Sequence, residues 1–232
     1  MAALSGPSFP SFADLPHENE LDLTYYKEAG DDSFAPSRHW VLFGEITSND
    51  AFMRPEVRLR TLSGEQGVNV IWYLDNGEEN PTRGFHPIKD RRLGATLAIM
   101  YAHRKMFMDG TEGIRQESLA ACYTFMAPLA VVRVEADKLL RGADVACIGG
   151  NKECFKCQVA DTAAARHKKC GKCGRAAYCS VACQRAHWPA HKMLCGDAER
   201  LLRLAALPRR AFTLGGANNG FLTMDTLPPH AL

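Results

Sequence analysis

The chain has 232 residues, 46% of them hydrophobic, and a formal net charge of +2, which is enough for one ordinary domain with a packed core and a small appended module. Its first ten residues, MAALSGPSFP, hold neither a cationic segment nor an apolar core, and no apolar run approaches the roughly 18 residues of a membrane span, so a secretory signal and a membrane anchor are not expected. The expected setting is intracellular, nucleus or cytoplasm, where thiols stay reduced and clustered cysteines hold metal more readily than disulfides.

Residues 1–36 are rich in Pro, Ser and acidic side chains, with Phe9, Phe12, Leu15, Leu21, Leu23, Tyr25 and Tyr26 placed without a helical period. They read as an extended, partly disordered arm whose apolar positions from Leu21 to Tyr26 pack onto the domain that follows. From Trp40 the signal changes to strands. H-W-V-L-F-G-E-I-T is β-branched and aromatic, E-V-R-L-R-T-L puts Val57, Leu59 and Thr61 on one face, and V-N-V-I-W-Y-L is β-branched again. Ser63–Gly67 supplies a hairpin connection between the second and third of these.

Asp75–Gly84 is polar and turn-rich, and Pro87–Arg92 is a short helical turn or further loop. L-G-A-T-L-A-I-M-Y-A then reads as a buried strand, and Met108–Gly110 turns it toward a fifth strand, G-I-R-Q-E. Five short strands with a polar excursion between the third and fourth predict a small OB-like antiparallel β-barrel over residues 37–148. Thr124–Val134, interrupted by Pro128, reads as an edge segment. A short helix is expected from Glu135, with Leu139 and Leu140 facing the barrel and Gly142 closing it. Gly149 and Gly150 mark a linker.

The following stretch, residues 149–196, holds C-F-K-C at Cys154–Cys157, C-G-K-C at Cys170–Cys173, and then Cys179, Cys183, His191 and Cys195. Eight such donors in about forty residues are enough for two tetrahedral zinc sites, and each C-x-x-C turn aims two thiolates at one metal. Ser180 stands where an N-cap belongs, which predicts a short helix over Val181–His187. Pro189 suits the start of a second helix, on which His191 and Cys195 stand four apart on one face. That shared face favours His191 over His187 as the ligand. Asp197 is placed to cap a helix over Ala198–Leu207, and Pro208 ends it. The remainder of residues 197–232, with G-G-A-N-N-G and T-L-P-P-H, reads as a flexible tail.

The pattern Cys154/Cys157, Cys170/Cys173, Y-C-S at Tyr178–Ser180, C-Q at Cys183, H-W at His187 and H-K-x-x-C at His191–Cys195 resembles the MYND-type zinc finger. The resemblance implies an interleaved ligand set. Cys154, Cys157, Cys179 and Cys183 would take one zinc, and Cys170, Cys173, His191 and Cys195 the other. It also implies that Gln184 and Trp188 help form a shallow groove for a proline-rich peptide partner, in settings such as transcriptional regulation. The N-terminal region is similar, more loosely, to that of fungal MYND-finger proteins, through the G-E-I strand at Gly44 and F-x-D-G-x-x-G-I-R at Phe107–Arg115.

Charge and chemistry narrow the function further. Residues 1–153 hold 16 Lys/Arg against 22 Asp/Glu, a net of −6, while residues 154–195 hold eight against Asp161 alone, a net of +7. Seven thiolates and two zinc ions lower the second figure to about +4, because coordinating thiols are deprotonated. The acidic first domain disfavours phosphate, so single-stranded nucleic-acid binding through the OB-like domain and the basic finger ranks second to protein interaction. Trp40, Phe43, Trp72, Tyr73 and Phe85 are candidates for a stacking platform, but strand alternation makes most of them core. No enzyme is expected: the chain lacks an N-H-S-C-type methyltransferase motif, a P-loop, a dinucleotide fingerprint and a G-x-S-x-G elbow. Cys122 and Cys147 read as small buried or loop residues. His103 and Asp109 read as a solvated edge and a turn residue, while His17, His39, His86, His167 and His230 have no evident partner. The expected class is α+β, an OB-like barrel followed by a double-zinc finger.

Overall fold

A computed structural model describes residues 3–30, 32–49, 54–74, 91–147, 151–213 and 220–228. The expected polar loop at Asp75–Gly84, most of Pro87–Arg92, Phe85, His86, His230, the linker glycines Gly149 and Gly150, and most of G-G-A-N-N-G lie outside these residues. So does the side chain of Cys147. The chain divides into two compact units, one built on Ser5–Leu129 with Leu207–Leu227 and the other on Ala130–Ala206. Among the described residues no helix is long and apolar enough to cross a membrane.

The first unit begins with a hairpin, β1 (Tyr26–Gly30) on β2 (Ser33–Pro36). Its main sheet is built from β3 (Val41–Ser48), β4 (Glu56–Thr61), β5 (Val68–Trp72), β6 (Thr96–Met100), β7 (Lys105–Met106), β8 (Glu112–Gln116) and β9 (Cys122–Phe125). All five expected strands are present, as β3, β4, β5, β6 and β8. The hydrogen-bonded order is β7-β8-β5-β4-β3-β6-β9. β3, β4 and β5 form the meander that the alternation predicts, β6 returns to lie beside β3, and β8 runs parallel to β5. The sheet is therefore mixed, not antiparallel, and among the described residues no pairing joins β7 to β9 to close a barrel. β6 lies against β3, while β8 lies on the far side of β5, so the turn at Met108–Gly110 links β7 to β8 within a hairpin.

Alternation decides which face is buried. In β4 the pattern places Val57, Leu59 and Thr61 inward, and β5 does the same with Val68, Val70 and Trp72. β3 and β6 sit mid-sheet and are apolar on both faces, so Leu42, Ile46, Leu97 and Ile99 join Trp40, Trp72 and Ile114 in one core while Phe43 stacks on Phe125 and meets Phe9 on the other side. Trp40 has its indole N–H on the Ala102 carbonyl at 2.9 Å, which satisfies the donor that burial would otherwise strand.

The two short motifs in this unit are explained by packing. A Cβ on Gly44 would stand 2.8 Å from that of Leu59, so the G-E-I strand needs glycine for Leu59 to lie across it. The adjacent Glu45 takes Arg60 at 2.6 Å on one oxygen and the Leu129 N–H at 3.0 Å on the other. In F-x-D-G-x-x-G-I-R, Asp109 accepts both the N–H and the hydroxyl of Thr111, Gly110 has φ +80, and Gly113 fits where a Cβ would meet Phe107 at 2.7 Å and the Asn69 carbonyl at 2.8 Å. Asp109 is the expected turn residue, its carboxyl held low chiefly by the Thr111 hydroxyl and amide.

The arm is more ordered than composition predicts. Phe9, Leu15 and Tyr25 are buried, whereas Leu21 and Leu23 face solvent, because the chain turns at Asp22, whose carbonyl accepts the N–H groups of Tyr25 and Tyr26. Glu65 fastens it, accepting the N–H groups of Phe12 and Ala13 together with the hydroxyls of Thr61 and Ser63. The tail is likewise ordered where described. Phe212 packs on His39 and Phe221, Leu222 donates its N–H to Tyr101, and Met224 donates its own to the Ala120 carbonyl. His39 and His103 are also not free: each meets a tyrosine hydroxyl, that of Tyr101 at 2.6 Å and that of Tyr26 at 2.7 Å.

The second unit contains the larger correction. Pro128 does not interrupt an edge strand but precedes α1 (Leu129–Cys147), which runs through Glu135 and Gly142 without ending at either. Val132, Ala136, Leu139 and Ala143 are its buried stripe, at helical spacing. Leu139 lines a recess of about 160 Å³ with Phe155, Ala177 and Leu202, all of the finger unit. Leu139, expected to face the barrel, is packed among residues of its own unit. α1 is followed by β10 (Lys168–Lys169) on β11 (Ala177–Tyr178), α2 (Val181–Leu194) and α3 (Ala198–Ala205). Asp197 holds the N-cap position of α3 without a side-chain cap bond.

Candidate metal centres

The finger is built from loops that backbone hydrogen bonds fold into knuckles. The Gln158 N–H donates to the Cys154 carbonyl and the Gly174 N–H to that of Cys170, each at 2.8 Å, closing one turn around each C-x-x-C pair. Gln158 and Gly174 both take positive φ to end these turns. β10 and β11 set Cys170 opposite Ala176 at one end of their hairpin and Cys179 at the other, one cysteine for each group, and α2 carries Cys183 and His191.

Two donor groups result. The sulfurs of Cys154, Cys157, Cys179 and Cys183 lie within 4.8 Å of one another, as do those of Cys170, Cys173 and Cys195 with a ring nitrogen of His191. These are the two sets that the interleaved arrangement assigns. Cys157–Cys179 is 3.6 Å, Cys179–Cys183 3.5 Å, Cys170–Cys195 3.8 Å and Cys173 to His191 Nε2 3.5 Å. A tetrahedron with Zn–S bonds of about 2.3 Å has sulfurs about 3.8 Å apart, close to these separations, so the two groups fit two zinc ions. The first group is the more open, with Cys157 and Cys179 exposed, while Cys170, His191 and Cys195 of the second are buried.

The thiols are tuned for this. Burial works against charge on Cys154, but the backbone N–H groups of Cys157, Cys179 and Lys156 outweigh it and bring the thiol down to about 6. Cys173 also falls to about 6, where burial is outweighed by His191 and by the amides of Ala176 and Arg175. Cys179 is pushed up to about 12 by its neighbours Cys183 and Cys157, the mark of thiols crowded around one point, where a bound cation would favour the thiolates. Cys122 behaves differently: complete burial lifts it to about 12, and it remains an inert core thiol.

α2 departs from the two-helix expectation. It is one continuous helix with Pro189 inside, beginning at Ser180, whose hydroxyl accepts the Cys183 N–H as the sequence predicts. Proline in a helix interior removes one backbone hydrogen bond and costs about 3 kcal/mol. The donors Cys183 and His191 lie on either side of Pro189 and belong to different metal groups, so the metals clamp the helix across its weak point.

His187 and His191 are both buried on α2, but they do different work. His191 turns Nε2 to Cys173, whereas His187 bonds the Tyr178 hydroxyl through Nδ1 at 2.9 Å and Glu135 of α1 through Nε2 at 2.8 Å. Glu135 also takes Lys138 at 3.0 Å and sets its second oxygen 3.7 Å from Nδ1 of His191. Burial opposes its charge, but His187, His191 and Lys138 around it prevail and hold the carboxyl well below the usual range. Sequence reasoning missed Glu135. The signal was there: one carboxylate inside the apolar stripe of Val132, Ala136 and Leu139.

Gln184 is half-buried and Trp188, one turn further along α2, is 43% exposed, its ring 6.0 Å from that of His191. Trp40, Phe43 and Trp72 are buried in the core of the first unit, as strand alternation predicts. Tyr73 is half-buried, with the guanidinium groups of Arg54 and Arg115 4.0 and 4.4 Å from its ring centre.

Residues 154–195 match the family described as MYND finger. The chain is 44% identical over 45 residues to N-lysine methyltransferase SMYD2-A of Danio rerio, a match covering 19% of this chain and 10% of that protein. The chain thus spans about a tenth of that relative's length. Among solved structures it is similar to one titled "Structure and Conformational Change of a Replication Protein A Heterotrimer Bound to ssDNA", at 13% identity and a TM-score of 0.23, covering 40% of this chain and 68% of the other.

Proposed function

We propose that this chain, which carries a MYND-type double-zinc finger, recruits a proline-rich peptide partner through Gln184 and Trp188 on α2, without catalysing a reaction itself. The observation that carries this reading is the exposure of Trp188. It stands between two buried histidines on a helix fixed by metal ligands, yet 43% of its surface remains in water. An indole so placed is an anchor for a partner, since tryptophan is enriched among the few residues that dominate binding energy. Gln184 at i−4 lies on the same face and supplies amide donors and acceptors to an extended peptide backbone.

Four protein donors per metal fill a tetrahedron, which is the arrangement of structural zinc and not of a hydrolytic centre. The strand connectivity of the first unit, a meander with β6 returning to β3 and β8 parallel to β5, supports an OB-type architecture for it. Seven cysteines grouped as metal donors fit a reducing intracellular compartment, nuclear or cytoplasmic, and a proline-rich partner there fits a role in transcriptional regulation.

The test is peptide capture from a library containing Pro-x-Leu-x-Pro segments, comparing wild type with Gln184→Ala/Trp188→Ala. At least tenfold weaker capture by a folded variant with both zinc ions, checked by native mass spectrometry, is the expected result. Unchanged capture by such a variant would sink the reading. A salt-dependent gel shift of wild type on single-stranded DNA would favour a nucleic-acid ligand instead.

A further inference from the structure

We infer that Glu135 of α1 is the positioning residue of the second metal group, so that the working zinc module begins near residue 130 and includes a helix outside the matched finger segment. The inference does not depend on which partner the module recruits.

Among the described residues Glu135 is one of the few charged side chains that are nearly wholly buried, at 2% exposure. Burying a carboxylate is costly unless every lone pair is used. Here Oε1 takes His187 at 2.8 Å and Lys138 at 3.0 Å, and Oε2 faces Nδ1 of His191 at 3.7 Å. That last distance exceeds a hydrogen bond but is short for a charge, and its sign matters. A carboxylate beside Nδ1 favours the tautomer with the proton on that nitrogen, which leaves the Nε2 lone pair free toward Cys173, Cys170 and Cys195. Carboxylates that face the outer nitrogen of a ligating histidine set its orientation and raise its basicity in this way.

The second contact fixes the ring's neighbour. His187 accepts or donates at both nitrogens, to Tyr178 and Glu135, and its ring stacks on that of His191 at 5.8 Å and 23°. Glu135 thereby holds two consecutive turns of α2, one by a firm hydrogen bond and one by its charge. Glu135, His187 and His191 could in principle hold a third ion. The Lys138 ammonium, 3.0 Å from both the Glu135 oxygen and His187 Nε2, already occupies that position as the cation. The cluster therefore supports a metal site and is not one.

The test uses the full zinc-loaded chain. Zinc release to a chelator is followed with a colorimetric indicator for wild type and Glu135→Gln, and cadmium-substituted protein is compared by cadmium NMR, where a centre of four sulfurs and one of three sulfurs and a nitrogen give separate signals. Wild type should release zinc in a faster phase from the open first group and a slower one from the buried second. Glu135→Gln places an amide N–H against Nδ1 and should speed the slower phase by 10- to 100-fold, shift only the signal of the mixed centre, and leave the faster phase alone. Unchanged release and signals, or equal acceleration of both phases, would overturn the assignment, the latter by reducing Glu135 to a general prop of the fold. Should Glu135→Gln not fold, Glu135→Asp, which keeps the charge one methylene short, gives the same comparison with the same deciding outcomes.

Discussion

The hydroxyl of Ser180 accepts the backbone N–H of Cys183 at 3.2 Å, so the cap of α2 is inserted between two ligands of one metal group, Cys179 and Cys183. A single bond thus orients a helix and a thiolate together. Ser180→Ala should cost about 1 kcal/mol of cap energy and make the first group release zinc several-fold faster, with the second group unaffected. Chelator kinetics on the two proteins checks this.

Removal of metal should separate the two units. The first has its own core around Trp40, Trp72 and Ile99, while the finger's order rests on eight donors and binding of about 10–16 kcal/mol per structural zinc in finger peptides. Added EDTA should abolish hydrogen-exchange protection across α2 and β11 and leave β3 to β6 protected. Loss of protection in both units at one chelator concentration would contradict this independence.

Glu65 predicts a pH dependence confined to the first unit. Burial raises its pKa, but the hydroxyls of Thr61 and Ser63 and the amides of Phe12 and Ala13 prevail, and the folded value lies below the usual one. The carboxylate therefore contributes stability that is complete above the unfolded-state pKa and fades as pH falls through the folded one. Glu65→Gln should flatten the acid limb of the stability profile and expose the Phe12 and Ala13 amides to exchange. An acid limb identical to that of wild type would refute it.

Gly113→Ala would drive a Cβ to 2.8 Å from the Asn69 carbonyl, across the parallel β5–β8 pair where backbone has no room to yield. A loss of about 1–3 kcal/mol is expected, as for other overpacked sites. Thermal unfolding followed by Trp40 and Trp72 fluorescence reads it, with zinc content unchanged.

β4 and β5 were legible because their burial alternates with a period of two, β3 and β6 because they are short apolar runs rich in β-branched and aromatic residues, and the metal donors because C-x-x-C spacing has few other uses. α1 was not. Its V-V-R-V segment is β-branched and follows a proline, both strand-edge signals, and only the longer stripe from Val132 to Ala143 shows the helical period that tertiary packing selects. Glu135 was only half legible: its place in the apolar stripe marks it as buried, but His187 and His191 lie about fifty residues on, and single-chain periodicity says nothing of such pairings. Leu21 and Leu23 illustrate the converse, since an apolar side chain in an arm carries no instruction about which way the turn at Asp22 will point it.

Pro189 gives the module a property of another kind. A helix that lacks a backbone bond at its middle and is gripped by different metals on either side has little reason to persist once those metals leave, and Gln184 and Trp188 are displayed on it. Any partner that grips this face is in effect asking whether the protein is loaded. Under the proposed function, recruitment would follow the supply of zinc.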